Sequence, residues 1–299
     1  MRYYIIELTK IQMNKMTENY YDGLPPVSDF IQRYELNALK SLGQNFILDL
    51  NLTDKIAKSV PNIKNSVVVE VGSGPAGLTR ALLKNDAKKV IAIELDNRAI
   101  GILKELQQTY GDRLEIIESD ALFVDFKELK NKYAKDCDFR ICANLPYNIS
   151  IPLTAKWLFD ADIINSMTLM FQLEVGERIV AKPRTKDYGR ISIISQLTND
   201  VKILFKVPRT CFTPAPKVTS CIVEFKAKDT QPSNEFLLGV SEVVKQAFSE
   251  RRKMLRSTLK PLFENSEKMQ EVFSKLGIKE TSRAEELFPL DFENIAREI

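Results

Sequence analysis

The stretch Val67-Val68-Val69-Glu70-Val71 runs straight into Gly72-Ser73-Gly74-Pro75-Ala76-Gly77, and then into apolar Leu78, Ala81 and Leu82. This succession limits the fold more than any other part of the chain. A β-branched run of that kind reads as a strand, and the apolar positions after it read as one face of a helix. The glycines between them allow a tight turn and a close approach of backbone to a ligand. The turn satisfies G-x-G-x-x-G, which is weak evidence alone. Placed between a strand and a helix, it becomes a candidate nucleotide-type cofactor site.

Further strands repeat the pattern. Lys89 to Ile93 reads as a second strand, ending in Glu94-Leu95-Asp96. Glu94 stands 22 residues past Gly72, where an acid that accepts from both ribose hydroxyls belongs. The plainer alternative is a surface carboxylate at a strand end. A helix over about 97–108 follows, then a third strand, Leu114 to Ile117, ending in Glu118-Ser119-Asp120-Ala121. An acid at that end could accept from an adenine amine. A fourth strand, Phe139 to Ala143, stops at Asn144, and a fifth, Ser166 to Phe171, leads into a helix through Val180. After a helix from Ile191 to Leu197, the strands Val201–Val207 and Ser220–Phe225 read as an appended hairpin. Polar residues at successive carboxyl ends point to an α/β, doubly wound parallel sheet.

The fourth strand ends in Asn144-Leu145-Pro146-Tyr147. Proline has no N–H for a ladder, so the chain leaves the sheet here. The Asn144 side-chain oxygen and the Leu145 carbonyl are two acceptors that could take both hydrogens of an exocyclic amine such as adenine N6. Held so, the nitrogen is favoured in pyramidal form with its lone pair aimed at an electrophile, and Tyr147 can stack on the base. Attack on a methyl sulfonium needs no general base beforehand, which suits a chain of 299 residues without one histidine. Read in isolation, the same four residues are an ordinary turn with Tyr147 in the core.

Hydrophobic content of 44% and charged content of 28% indicate a soluble globular protein with room for one large and one smaller domain. A net charge of +3 means that nucleic-acid binding must come from local patches. Cys137, Cys142, Cys211 and Cys221 form no C-x-x-C pair, so they read as reduced thiols of a cytoplasmic protein without a metal. No apolar run approaches a membrane span, and Glu7 and Lys10 interrupt anything like a signal peptide.

Residues 1–22 read as a flexible extension, or as residues ahead of a later start at Met13 or Met16. Leu24-Pro25-Pro26 is a stiff break before a short helix over 28–41; Gln44-Asn45 is turn-like, and a helix runs from Thr53 to Ser59. Phe212, ahead of two prolines, is either held in the open or packed on the core. Residues 229–234 look like a linker. Beyond them the pattern is helical, with Val244, Phe248, Leu255 and Leu259 in one stripe. Lys245, Arg251, Arg252, Lys253, Arg256 and Lys260 stand there against the single acid Glu250. A helix so charged could meet phosphates, the alternative being a solvated face.

These stretches resemble the ribosomal RNA adenine N6,N6-dimethyltransferases of the KsgA type. The matching residues are L-G-Q-N-F at 42–46, V-E-V-G-S-G at 69–74, I-E-L-D at 93–96, S-D-A-L at 119–122 and A-N-L-P-Y-N-I-S at 143–150. Y-G-R at 188–190, F-T-P-A-P-K-V at 212–218 and R-R-K at 251–253 continue them, so the likeness spans 24 to about 290. It implies a Rossmann-like methyltransferase sheet of five parallel strands plus a hairpin over 23–228, and a small helical RNA- and ribosome-binding domain over 229–299. It also implies S-adenosyl-L-methionine as cofactor. Asn45 and Ile47 would frame its methionine end, Gly72 start its loop, Glu94 take its ribose and Asp120 its adenine, with Asn144 beside the methyl group. Leu145 would help to hold the amine, Tyr147 and Phe212 would sandwich the target adenine, and Arg251, Arg252 and Lys253 would meet RNA. The implied substrate is two adjacent adenosines near the 3′ end of small-subunit ribosomal RNA, in an assembling small subunit met by a monomeric enzyme. Ser73 departs from the proline common at that place in the family. Three rivals stand beside this reading: a large-subunit adenine methyltransferase of the antibiotic-resistance type, a nicotinamide-dependent dehydrogenase, and a non-catalytic assembly factor.

Overall fold

A computed structural model describes residues 22–38 and 43–299. The chain divides into two compact units, residues 1–148 with 208–217, and residues 149–207 with 218–299. In chain order, the described part of the first stretch holds α1 (Val27–Arg33), β1 (Phe46–Ile47), α2 (Leu50–Lys58), β2 (Ser66–Val71), α3 (Gly77–Lys84), β3 (Lys89–Glu94), α4 (Asn97–Tyr110), β4 (Leu114–Glu118), α5 (Phe126–Tyr133) and β5 (Asp138–Ala143). Then come α6 (Tyr147–Leu158), β6 (Ser166–Gln172), α7 (Leu173–Ile179), α8 (Arg190–Thr198), β7 (Asn199–Val207), β8 (Phe212–Thr213) and β9 (Ser220–Ala227). The chain finishes with α9 (Asn234–Ala247), α10 (Leu255–Thr258), α11 (Ser266–Lys275) and α12 (Pro289–Glu298).

In the first unit four strands lie parallel in the order β4-β3-β2-β5. Every residue of β2 is buried, as expected of a strand with helices over both faces. Aspartates set where the helices begin: Asp49, Asp96 and Asp125 accept backbone N–H groups at the starts of α2, α4 and α5. Pairing of Val71 with Ile93 and of Glu94 with Glu118 brings the ends of β2, β3 and β4 level. The loops after them therefore share one edge. In the second unit β6, β9 and β7 are antiparallel neighbours, and the described chain from Asn234 onward is helical apart from its connections.

Several boundaries differ from the sequence expectation. The helix expected over 28–41 ends at Arg33, and residues 39–42 lie outside the described residues. The extension expected over 1–22 also lies outside them, apart from Asp22, whose carboxylate makes a buried ion pair with Arg80. Asn144-Leu145-Pro146 is the turn expected, but Tyr147 already opens α6, because proline is well tolerated just ahead of a helix. The continuous basic helix expected from Lys245 to Lys260 is not formed. α9 stops at Ala247, residues 248–253 turn, and α10 begins at Leu255. The apolar stripe holds even so, with Val244, Leu255 and Leu259 all buried: burial depends on where the side chains land, and a broken helix can supply it.

Candidate active site

The glycine loop of the first unit is built on unusual backbone. Gly72 and Gly74 have φ of 73° and 52°, in the left-handed region that glycine enters freely, and the Gly72 N–H donates to the Ile93 carbonyl at 2.9 Å. A Cβ on Gly74 would stand 3.1 Å from the Phe46 ring, whereas one on Gly72 would meet nothing closer than Pro146 Cδ at 3.9 Å. The backbone at Gly72 thus has only the Pro146 ring in ordinary contact beside it, at a strand's carboxyl end where ligands bind in open α/β sheets.

Glu94 is buried and its carboxylate accepts three main-chain N–H groups: Gly74 at 2.9 Å on one oxygen, Leu95 at 2.8 Å and Asp96 at 3.0 Å on the other. It therefore ties the loop after β2 to the loop after β3. A carboxylate has about four lone-pair sites, so acceptor capacity remains for a ligand hydroxyl. Asp120, half-buried at the end of β4, accepts from the Leu122 N–H at 2.9 Å. Behind the loop lies Glu70, an acid in the middle of a buried strand and 1% exposed. Thr79 donates to it. Burial pushes the Glu70 carboxyl up to about 8; the Thr79 hydroxyl opposes that rise and the Glu94 charge adds to it.

At the end of β5 the Asn144 Nδ2 donates to the Asn45 carbonyl at 3.1 Å. A carbonyl can only accept, so this contact fixes which way the amide faces and leaves Oδ1 as an acceptor. Leu145 is buried, while Pro146 and Tyr147 are half-buried. Phe212 is not held in the open. It is 4% exposed in β8 and paired with Ile47 of β1, so the packed alternative holds.

Residues 43–47 connect these parts. Gln44 Nε2 donates to Asp96 at 3.3 Å, the Asn45 carbonyl holds Asn144, Phe46 packs under Gly74, and Ile47 pairs with Phe212. A Cβ on Gly43 would press against Asn148 Oδ1 at 3.0 Å. Asn45, Ile47, Gly72, Glu94, Asn144 and Phe212 are thereby joined through one segment. The sequence reads Gln44-Asn45 as turn-like, gives Asn45 and Ile47 a cofactor role only through the family resemblance, and assigns none to Phe46 or Glu70. The one available signal for Glu70 was a lone acid inside a β-branched run.

In the second unit Arg251, Arg252 and Lys253 sit in the turn after α9. Arg251 Nε donates to Glu285 at 3.0 Å, and its Nη2 donates to the carbonyl of Lys186 at 2.5 Å, with Thr185 and Tyr188 carbonyls farther off. Lys253 pairs with Glu250. Arg252 is exposed.

A glycine loop at one strand end, acids at the next two and an Asn-Leu-Pro-Tyr turn at another define a Rossmann-like methyltransferase. The model of the ribosomal RNA adenine dimethylase family matches residues 35–299, and the chain belongs to that family. It is 45% identical over 283 residues to a ribosomal RNA small subunit methyltransferase A of Mesorhizobium japonicum, covering 93% of this chain and 99% of that one. A namesake from Rhizobium meliloti is 46% identical over 279 residues, or 92% and 97% of the two chains. Among solved structures, a dimethyladenosine transferase from Plasmodium falciparum superposes with a TM-score of 0.71 at 29% identity, covering 84% of this chain and 95% of that one. The 23S rRNA methyltransferase ErmE shares the fold, with a TM-score of 0.63 at 22% identity, covering 85% of this chain and 99% of that one.

Proposed function

We propose that the protein transfers methyl groups from S-adenosyl-L-methionine to N6 of two adjacent adenosines near the 3′ end of small-subunit ribosomal RNA, giving N6,N6-dimethyladenosines as the small subunit is assembled. The observation that carries this is the Asn144 amide. Its nitrogen is taken by the Asn45 carbonyl, so its oxygen is left as an acceptor, and the carbonyl of Leu145, the next residue in the chain, would be the second. Two acceptors suit an amine with two N–H donors and nothing to accept. The likeness to small-subunit methyltransferases over nearly the whole of both chains supports the choice of RNA.

The residues fit the cofactor. Gly72 starts a left-handed turn at a strand's carboxyl end, and Glu94 is a buried, pre-ordered carboxylate with acceptor capacity for ribose hydroxyls. Asn45 and Ile47 would hold the methionine end and Asp120 the adenine amine. When bound, the cofactor supplies an electrophilic methyl group. Asn144 and the Leu145 carbonyl would orient the target amine, Tyr147 would hold the base with Phe212 backing the site from its packed place in β8, and the amine would lose its proton to water. The target must first be extruded from its stack, at a cost of a few kcal/mol. Residues 23–228 carry the transfer in this reading, and residues 229–299, with Arg251, Arg252 and Lys253, serve RNA and ribosome binding. The protein works as a cytoplasmic monomer. Four free thiols support the compartment, and among the described residues no helix is long and apolar enough to cross a membrane.

The test is to incubate the protein with methyl-labelled cofactor and unmethylated small subunits, then map the label. Dimethyladenosine at two adjacent positions near the 3′ end is expected. Label in large-subunit RNA instead, or none at all, would overturn the reading.

A further inference from the structure

Within the second unit, the half-buried Ile151, Phe159 and Phe248 help to wall a cavity of about 650 Å³. That lies within the roughly 300–1,000 Å³ usual for sites that enclose a small ligand. Arg178, Lys186 and Arg190 also line it, and all three are exposed. None of their side chains makes a hydrogen bond or an ion pair with a described residue. Asp187 is the one acid in the lining, and the fourth cation there, Arg251, is already paired with Glu285. The cavity therefore joins an apolar, partly aromatic wall to a surplus of unneutralised cations. In the turn at 251–253, by contrast, two of the three basic residues have carboxylate partners.

We propose that this cavity holds one nucleotide of the RNA, other than the adenosine being methylated. Its base lies against the Ile151–Phe159–Phe248 wall, and its flanking phosphates lie on Arg178, Lys186 and Arg190. The proposal rests on the RNA-methyltransferase reading above and adds a second subsite to it. A nucleotide is the ligand class that carries a flat apolar face and a phosphate within one residue's reach. Guanidinium groups match phosphate oxygens in pairs, and stacking on an aromatic ring tolerates any base.

The experiment uses the full chain and a fluorescently labelled single-stranded oligoribonucleotide, with anisotropy read across a salt series. The triple variant Arg178→Ala/Lys186→Ala/Arg190→Ala removes only exposed side chains. It should bind at least tenfold more weakly in moderate salt, with its salt slope reduced by about two, since each phosphate contact to a single strand contributes about 0.7. Ala155→Trp, which fills the cavity, should weaken binding and leave the slope unchanged. Cofactor affinity by calorimetry should match the wild type in both. In methyl transfer to small subunits, KM should rise in both while kcat stays close to wild type. Wild-type oligoribonucleotide affinity and slope in both variants would overturn the proposal. So would weakened binding to small subunits with unchanged oligoribonucleotide binding, which would mean that the cavity faces a protein. Failure of the activity reading looks different: the wild type would then leave small subunits unmethylated, whatever the variants do to RNA affinity.

Discussion

Glu94 in the first unit and Arg251 in the second are both charged, and both are held by main-chain groups, to opposite effect. Glu94 is buried, and the three N–H groups it gathers come from the loops that would face a ligand. Its charge organises a site. Arg251 lies in an exposed turn and directs its guanidinium at Glu285 and at carbonyls of residues 185–188. Its charge is largely consumed in fastening its own unit. An acid at the end of a parallel strand has few places to go, because the strand and the glycine loop beside it fix its surroundings. A basic residue in a connecting turn has many, and partners far along the chain decide whether its charge remains available.

This contrast can be broken or sharpened, starting with the largest effect. Asn144→Ala should lower single-turnover methyl transfer by roughly 10²–10³, by analogy with the loss of one preorganised polar contact. Binding to small subunits should survive. Turnover close to wild type would return Asn-Leu-Pro-Tyr to the status of a turn. Glu94→Ala should weaken S-adenosylmethionine binding by ~1.5–3 kcal/mol, since charge-assisted hydrogen bonds are lost. Unchanged affinity by calorimetry in a folded variant would remove that assignment.

Glu70 tests whether a second acid in the first unit is held differently from Glu94. Its carboxyl is raised from the ordinary 4.5 to about 8. Between those values the folded chain keeps a proton that the unfolded chain has lost. Its contribution to stability is therefore complete below 4.5 and lost as pH rises through about 8. Glu70→Gln should flatten the fall of the unfolding free energy, taken from urea titrations, over that window by on the order of 1 kcal/mol per pH unit. Equal slopes for variant and wild type would show that Glu70 does not titrate there. The smallest effect separates neighbours in the basic turn. Arg252→Ala should reduce the salt slope of single-stranded RNA binding by about 0.7 and leave stability alone. Arg251→Ala should lower the unfolding midpoint and change the slope less. Equal slope losses would mean that Arg251's internal partners do not withhold its charge.

Much of the first unit was legible in the chain itself. The strands β2 to β5, the glycine loop and the polar strand ends are local features: β-branched runs, glycines where φ is positive, aspartates at helix starts. Placing Glu94 and Asn144 at carboxyl ends required only these. The resemblance pointed to Asn45 and Ile47, but the way residues 43–47 tie the loops together was not legible. Gln44 reaches Asp96, and Asn45 reaches Asn144, across 52 and 99 positions of sequence, and nothing local announces such contacts. The basic segment misled for the same reason. Its apolar stripe was read correctly, but charge counted along a line says nothing of Glu285, 34 positions away from Arg251.

The sequence by itself determined the order of the parallel α/β units and the residues at their ends, because period, turn chemistry and N-caps act within a few residues. Only the tertiary structure decided which polar groups remain free to meet a ligand. The Asn144 amide is turned by a carbonyl from another loop. The Glu70 carboxyl is raised by the layers that bury it. Arg251 and Arg178 differ in nothing but their neighbours. Free acceptors and unpaired charges are what is left after every other group in the fold has found its partner, and that remainder is set by contacts between residues distant in the chain.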